Sequence, residues 1–256
     1  MKLQTAKVFG AAVAAVAVLV GTATQVSAAE RVSSNALASP TAYADYLKHS
    51  GEEGALDTLS KFQALTPSEQ SRFLGYLQDP SLYKDFLASS LEEEKSISAV
   101  SESTNQSISL RNGDVTYESE SEVNGLTTAA SGPLSAGNHT VKRSNKITVL
   151  GVNVVELKIW VSFHSNGRDI TAVNDADGGQ RNLSVVASVS KERAKKSLGT
   201  QQLCERGGSC VGGRTAIASI IWNVSAVVSG GTVQFDKKQT LTANRFGNGQ
   251  SSLKNV

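Results

Sequence analysis

Two cysteines, Cys204 and Cys210, are the only thiols in this 256-residue chain, and they bracket the stretch CERGGSC. Five intervening residues are too many for a Cys-x-x-Cys redox pair. With no third cysteine and only His49, His139 and His164 elsewhere, the pair also lacks the company for a closed four-ligand zinc site. A disulfide clasp fits best, because Gly207 and Gly208 let the chain turn tightly enough to bring the sulfurs together. Closing so short a loop is worth on the order of 2 kcal/mol in the chain-entropy picture.

Other residues offer less. AVNDADGGQRN sets Asp175, Asp177 and Gly178 in an order that superficially resembles a calcium loop. It lacks the third spaced acid and the distal Glu of an EF-hand, so it reads as a polar hairpin loop and no metal site is expected. KERAKK supplies a basic cluster, with Lys191, Arg193, Lys195 and Lys196 able to meet an anionic polymer. Trp160 falls on the polar side of an alternating run, where an indole could stack on a sugar ring, whereas Trp222 sits in a run apolar enough for core packing. No G-x-S-x-G elbow is present, the three histidines have no triad context, and His164 reads as a solvated strand-end residue. No catalytic residue and no cofactor is assigned.

The compartment comes from the other end of the chain. Lys2 and Lys7 precede the uncharged run Val8 to Val20, and small residues follow at Val26-Ser27-Ala28-Ala29. That is the layout of a signal peptide over residues 1–29, and the apolar run falls short of the roughly 20 residues a membrane span requires. Secretion is therefore expected, without a membrane span, and an oxidising compartment favours the disulfide. Residues 30–103 carry twelve acids and six bases, and residues 104–256 eleven acids and seventeen bases. The two parts thus hold about −6 and +6, and the near-neutral sum argues against a nucleic-acid binder. Acidic helices could then mask the basic cluster.

Periodicity divides the chain at the same place. SPTAYADYLKH, GALDTLSKFQAL, LTPSEQSRFLGYLQ and DPSLYKDFLASSLEEE carry helical apolar stripes. Thr66-Pro67 with Glu69 forms a capping signature, and Asp79-Pro80 opens the last stretch. A small helical domain is expected over 30–91, then a polar linker over 92–107. Beyond it the period drops to two. Asn112-Gly113 marks a hairpin, VELKIWVSFH alternates with Leu157, Ile159, Val161 and Phe163 on one face, Asn166-Gly167 marks another turn, and Thr215 to Val228 is a long β-rich run. Strands separated by short turns without helical crossovers indicate an antiparallel sheet fold. The expected class is α+β in two parts, a small helical bundle followed by an antiparallel β-sandwich over 108–256.

LTPSEQSRFLGYLQDP, the alanine-rich leader and a β-rich second half ending in GNGQSSLKN together resemble uncharacterised exported proteins of actinobacteria. The resemblance implies export and a two-part plan, and it brings no activity or site residues. The expected function is a secreted, non-enzymatic binding or interaction protein whose β-sandwich loops meet an anionic cell-wall polymer or a secreted protein. The alternatives are a secreted hydrolase with unrecognised catalytic acids and a toxin- or inhibitor-like effector. Mass spectrometry of the unreduced exported protein is expected to give a mass two hydrogens below the dithiol; free thiols at Cys204 and Cys210 would refute the clasp.

Overall fold

The computed structural model describes residues 35–79, 81–82, 106–124, 134–204, 210–228, 231–247 and 249–256. The expected signal peptide, the fourth helical stretch beyond Leu82 and the linker up to residue 105 lie outside them. Among the described residues the fold combines three helices with two antiparallel sheets.

The helices are α1 (Pro40–His49), α2 (Ala55–Ala64) and α3 (Pro67–Leu77). Ser39 caps α1 by accepting from the Ala42 amide at 3.1 Å. At α3 the capping box read from sequence forms, with Thr66 and Glu69 each accepting from the other's backbone amide. The buried stripes converge on an aromatic cluster, where Tyr43, Phe62 and Phe73 stand with ring centroids 5.0–5.4 Å apart.

The first sheet runs β1 (Gln106–Leu110), β2 (Val115–Asn124), β3 (Ala136–Val149), β4 (Val152–Asn166) and β5 (Ile170–Asn182) in chain order. The second contains β6 (Ala187–Lys191), β7 (Lys195–Cys204), β8 (Cys210–Val228), β9 (Gly231–Ala243) and β10 (Gly249–Asn255), with β8 pairing with β6, β7 and β9. Two expected turns appear. Arg111–Gly113 joins β1 to β2 with Asn112 at φ +59°. Asn166 closes the β4–β5 turn by accepting from the amides of Arg168 and Asp169 at 2.9 and 2.8 Å. Asp175 to Gly178, expected as a loop, instead lie inside strand β5.

Leu157, Ile159, Val161 and Phe163 of β4 all face inward as their alternation predicts, and they share one buried cluster with Ala218, Ile220, Trp222 and Leu241 of the second sheet. Burying each large apolar side chain contributes about 1.5–3 kcal/mol. A polar chain crosses the same layer. The Trp222 indole donates to Gln239 Oε1 at 2.8 Å, Gln239 Nε2 donates to Asn145 Oδ1 at 2.8 Å, and Asn145 Nδ2 donates to the Tyr117 hydroxyl. Lys237, one inward position from Gln239 and facing Trp222 across β8–β9, is also buried, and that burial lowers its amine's pKa.

The helices rest on one end of the sheets. Their buried residues form a single cluster with Val115, Tyr117, Ile147, Val149, Val152, Val154 and Leu183. The Tyr43 hydroxyl donates to the Leu183 carbonyl at 2.9 Å, and Arg72 and Tyr76 hold Asp114, at the head of β2, at 3.1 and 2.8 Å.

Gly178 explains the glycine pair in β5. A Cβ there would stand 2.5 Å from both Ile220 Cδ1 and the Lys158 carbonyl and 3.2 Å from the Trp222 ring, so its absence lets β5 close on β8. A Cβ on Gly179 meets only the Trp160 ring, at 3.9 Å. Gly178→Ala is expected to lower stability by roughly 1–3 kcal/mol through overpacking, and Gly179→Ala to stay within about 0.5 kcal/mol of the parent. Denaturant midpoints check this; equal midpoints for the two variants would contradict the packing account.

Candidate functional site

Alternation along four neighbouring strands sends every second side chain to the outer face of the first sheet. The register places Glu122 opposite Lys142, Glu120 opposite Ser144 and Glu118 opposite Lys146 across β2–β3. Across β3–β4 it sets Lys142 opposite Trp160, Ser144 opposite Lys158 and Lys146 opposite Glu156, and across β4–β5 it sets Trp160 opposite Asp177 and Glu156 opposite Arg181. A groove of ≈ 660 Å³ lies along this face, lined by Glu120, Glu122, Lys142, Lys146, Glu156, Lys158 and Trp160 among others. Its volume lies within the roughly 300–1,000 Å³ common to small-ligand sites. Most of its lining residues are charged, with one indole among them.

Those charges are largely matched. Lys146 binds Glu120, Lys142 lies 3.8 Å from Glu122, and Lys158 reaches Glu53 of the α1–α2 connection at 3.2 Å and Glu156 at 3.7 Å. Such cross-strand pairs stabilise a sheet modestly, each by about 0.2–1 kcal/mol. Glu120, Glu122 and Glu156 each stand against a cation.

Trp160 is partly exposed and reaches over Gly179, where the missing side chain leaves the indole room to extend toward β5. Beside it Asp177 accepts from Lys191 Nζ at 2.6 Å, and the same ammonium donates to the Gly178 carbonyl. Burial would raise the Asp177 pKa, but hydrogen bonds from Lys191 and the Gly178 amide, with the lysine's charge, outweigh it and leave the carboxyl below its ordinary value.

The residues singled out in the sequence therefore divide. Trp160 and Lys191 are brought together through Asp177. Lys196 turns back to donate to the Asn174 carbonyl of β5, while Arg193 and Lys195 are exposed near the start of β7. Among the described residues, the acid that meets this basic stretch is Asp177 of β5. His164 is exposed, its Nδ1 3.0 Å from Asn138 Oδ1, and Asp169 instead accepts from the Arg214 amide. Trp222 is fully buried. Cys204 and Cys210 are partners in the β7–β8 register, directly opposite one another.

Sequence reasoning missed Asn153, Glu156, Lys158 and Arg181. The outward alternation of VELKIW carried a signal for Glu156 and Lys158, but their convergence with Arg181 depends on strand pairing. No protein-family model, curated protein or solved structure matches this chain.

The Asp177 carboxyl, depressed in the folded state, contributes stability that is complete above the ordinary carboxylate value of about 3.9 and is lost as pH falls through its lower folded value. Asp177→Asn is therefore expected to be less stable than the parent at neutral pH, with the gap narrowing below about pH 4. Thermal melts from pH 7 to pH 2 read this out; a gap that stays constant would show that the carboxylate charge contributes nothing.

Proposed function

We propose that the chain is a secreted, non-enzymatic binding protein in which the two sheets form a β-sandwich, and that the outer face of the first sheet engages a glycan of the cell envelope. The observation that carries this reading is Trp160, an indole held on the solvent side of a central strand inside a groove of charged and hydroxyl-bearing side chains. An aromatic ring there offers an apolar face to the C–H faces of a sugar ring while the flanking polar groups meet its hydroxyls. The binding surface is thus a sheet face, where the sequence alone suggested loops.

The signal-peptide layout of residues 1–29 supports export. The facing register of Cys204 and Cys210 supports a disulfide closing the β7–β8 hairpin. The exposed Arg193 and Lys195 lie beyond the partners of Trp160 and leave an anionic wall polymer as a competing ligand.

Binding of the mature protein to purified cell-wall polysaccharide is the test, with a teichoic-acid fraction and a secreted-protein fraction as the other arms. Trp160→Ala is expected to weaken polysaccharide binding at least tenfold while leaving the melting temperature within a few degrees. Binding that survives this substitution, selective capture of a secreted protein, or release of soluble sugar during incubation would each overturn the reading.

A further inference from the structure

Trp160 stands between two lysines that are held loosely and an acid that is held firmly. Lys142 is opposite the indole on β3, and Lys158 lies two residues before it on β4, a same-face step of about 7 Å. Both line the groove. Lys142 is 3.8 Å from Glu122 and Lys158 is 3.2 Å from Glu53, and these two glutamates are mostly solvated, with 66% and 72% of their side chains exposed. Asp177, opposite the indole on β5, is instead bound by Lys191 at 2.6 Å, and that ammonium also donates to the Gly178 carbonyl.

The other charges beside Lys158 are fixed. The β3–β4 bulge between Ile147 and Thr148 sets Asn153 next to Glu156, and Asn153 Nδ2 donates to Glu156 Oε2 at 3.4 Å. Lys158 stands 3.7 Å from the same carboxylate and Arg181 3.9 Å. In this polar corner one buried carboxylate faces two cations, so withdrawing Glu53 leaves one positive charge unmatched. Gly54 sits so close to Arg181 that a Cβ on it would stand 2.2 Å from the guanidinium. That contact holds the backbone beside Glu53 at the groove, while the solvated Glu53 side chain can turn away.

This asymmetry selects a charge. Opening an exposed ion pair costs little, because both partners regain water. A cation lying on the indole would have to take Asp177 from Lys191, which also ties a backbone carbonyl. An anion has only to displace an exposed carboxylate that already stands where its own charge would go, and a lysine ammonium, being a point charge, accepts a carboxylate or a phosphodiester alike. We infer that the groove binds an acidic sugar residue whose ring lies on Trp160 and whose anionic group replaces Glu53 at Lys158, with Glu53 as a built-in competitor. The inference rests on the glycan reading of the groove and adds the ligand's charge class and the residue that competes with it.

The test measures affinity of the full mature protein for purified cell-wall polysaccharide in three states: as isolated, after carbodiimide and borohydride reduction of its carboxylates, and after removal of its phosphodiesters with hydrofluoric acid. Expected are a roughly tenfold weakening by one of the two treatments, which identifies the anion, and a similar loss for Lys158→Gln on the untreated probe. Glu53→Gln is expected to tighten binding roughly threefold, in line with the small cost of an exposed pair, and it carries the test if Lys158→Gln fails to fold, as judged by its melting curve. Glu52→Gln makes the same charge change at the neighbouring exposed position and is expected to leave affinity unchanged. Binding that survives both treatments, with Trp160→Ala still defective, would overturn the acidic class and leave the glycan reading standing. No tightening for Glu53→Gln, or equal tightening for Glu52→Gln, would overturn the competitor. Failure of the parent protein to bind untreated polysaccharide would overturn both readings.

Discussion

Trp222 stands where β8 packs closely on β5, and it links the two sheets in two chemically different ways. Its ring fills the space that Gly178 leaves on β5. Its indole N–H starts the chain through Gln239 and Asn145 to Tyr117, four residues exposed by 2% or less. Apolar packing alone tolerates many arrangements of similar volume, but a buried polar chain does not. Sliding one sheet by a single residue would break the bond of this chain that crosses between them, leaving Gln239 Nε2 and Asn145 Oδ1 unpaired at about 1–3 kcal/mol apiece. The chain therefore fixes the register of one sheet upon the other.

The outer face inherits that register. Because side chains alternate with period two, the residues that place Leu157, Ile159 and Val161 in the core also place Glu156, Lys158 and Trp160 on the other surface, in fixed order. The same holds in β5, where Gly178 faces Trp222 while Gly179 and Asp177 flank Trp160. Neighbouring glycines thus have separate duties, one admitting the second sheet and the other leaving room for the indole. A surface built this way is rigid, since its side chains stand on central, doubly paired strands and not on loops.

Much of this was legible in residue order. The capping box at Thr66, the turns at Asn112 and Asn166, and the inward face of β4 follow from local chemistry, and they form as read. The Asp175–Gly178 stretch did not, because its composition of Asp, Asn and Gly is what a turn requires. In β5 those acids face outward on a strand whose glycine answers a close approach from β8, more than forty residues away in sequence. The polar corner was illegible for the same reason. Asn153 and Glu156 are near in sequence but share a face only through a bulge, and Arg181 joins them only through cross-strand pairing. In the basic cluster, a run of like charge carries no sign that Lys191 and Lys196 turn back onto β5.

The two parts of the chain carry opposite charges, but the magnitudes show that charge is not what joins helices to sheets. Among the described residues the ion pairs across this junction, Glu53 with Lys158, Arg72 with Asp114 and Asp79 with Arg111, are partly exposed, and such pairs are worth about 0–1 kcal/mol each and weaken with salt. Against them stands a continuous apolar cluster in which Tyr43, Leu47, Phe62 and Phe73 share burial with Val149, Val152 and Val154, where single large side chains contribute about 1.5–3 kcal/mol. Burial therefore holds the helices, and charge orients them. Glu53 and Gly54, at the tip of the α1–α2 connection, then meet Lys158 and Arg181 at one corner of the groove, so the helical segment completes the surface on which the second part of the chain presents Trp160.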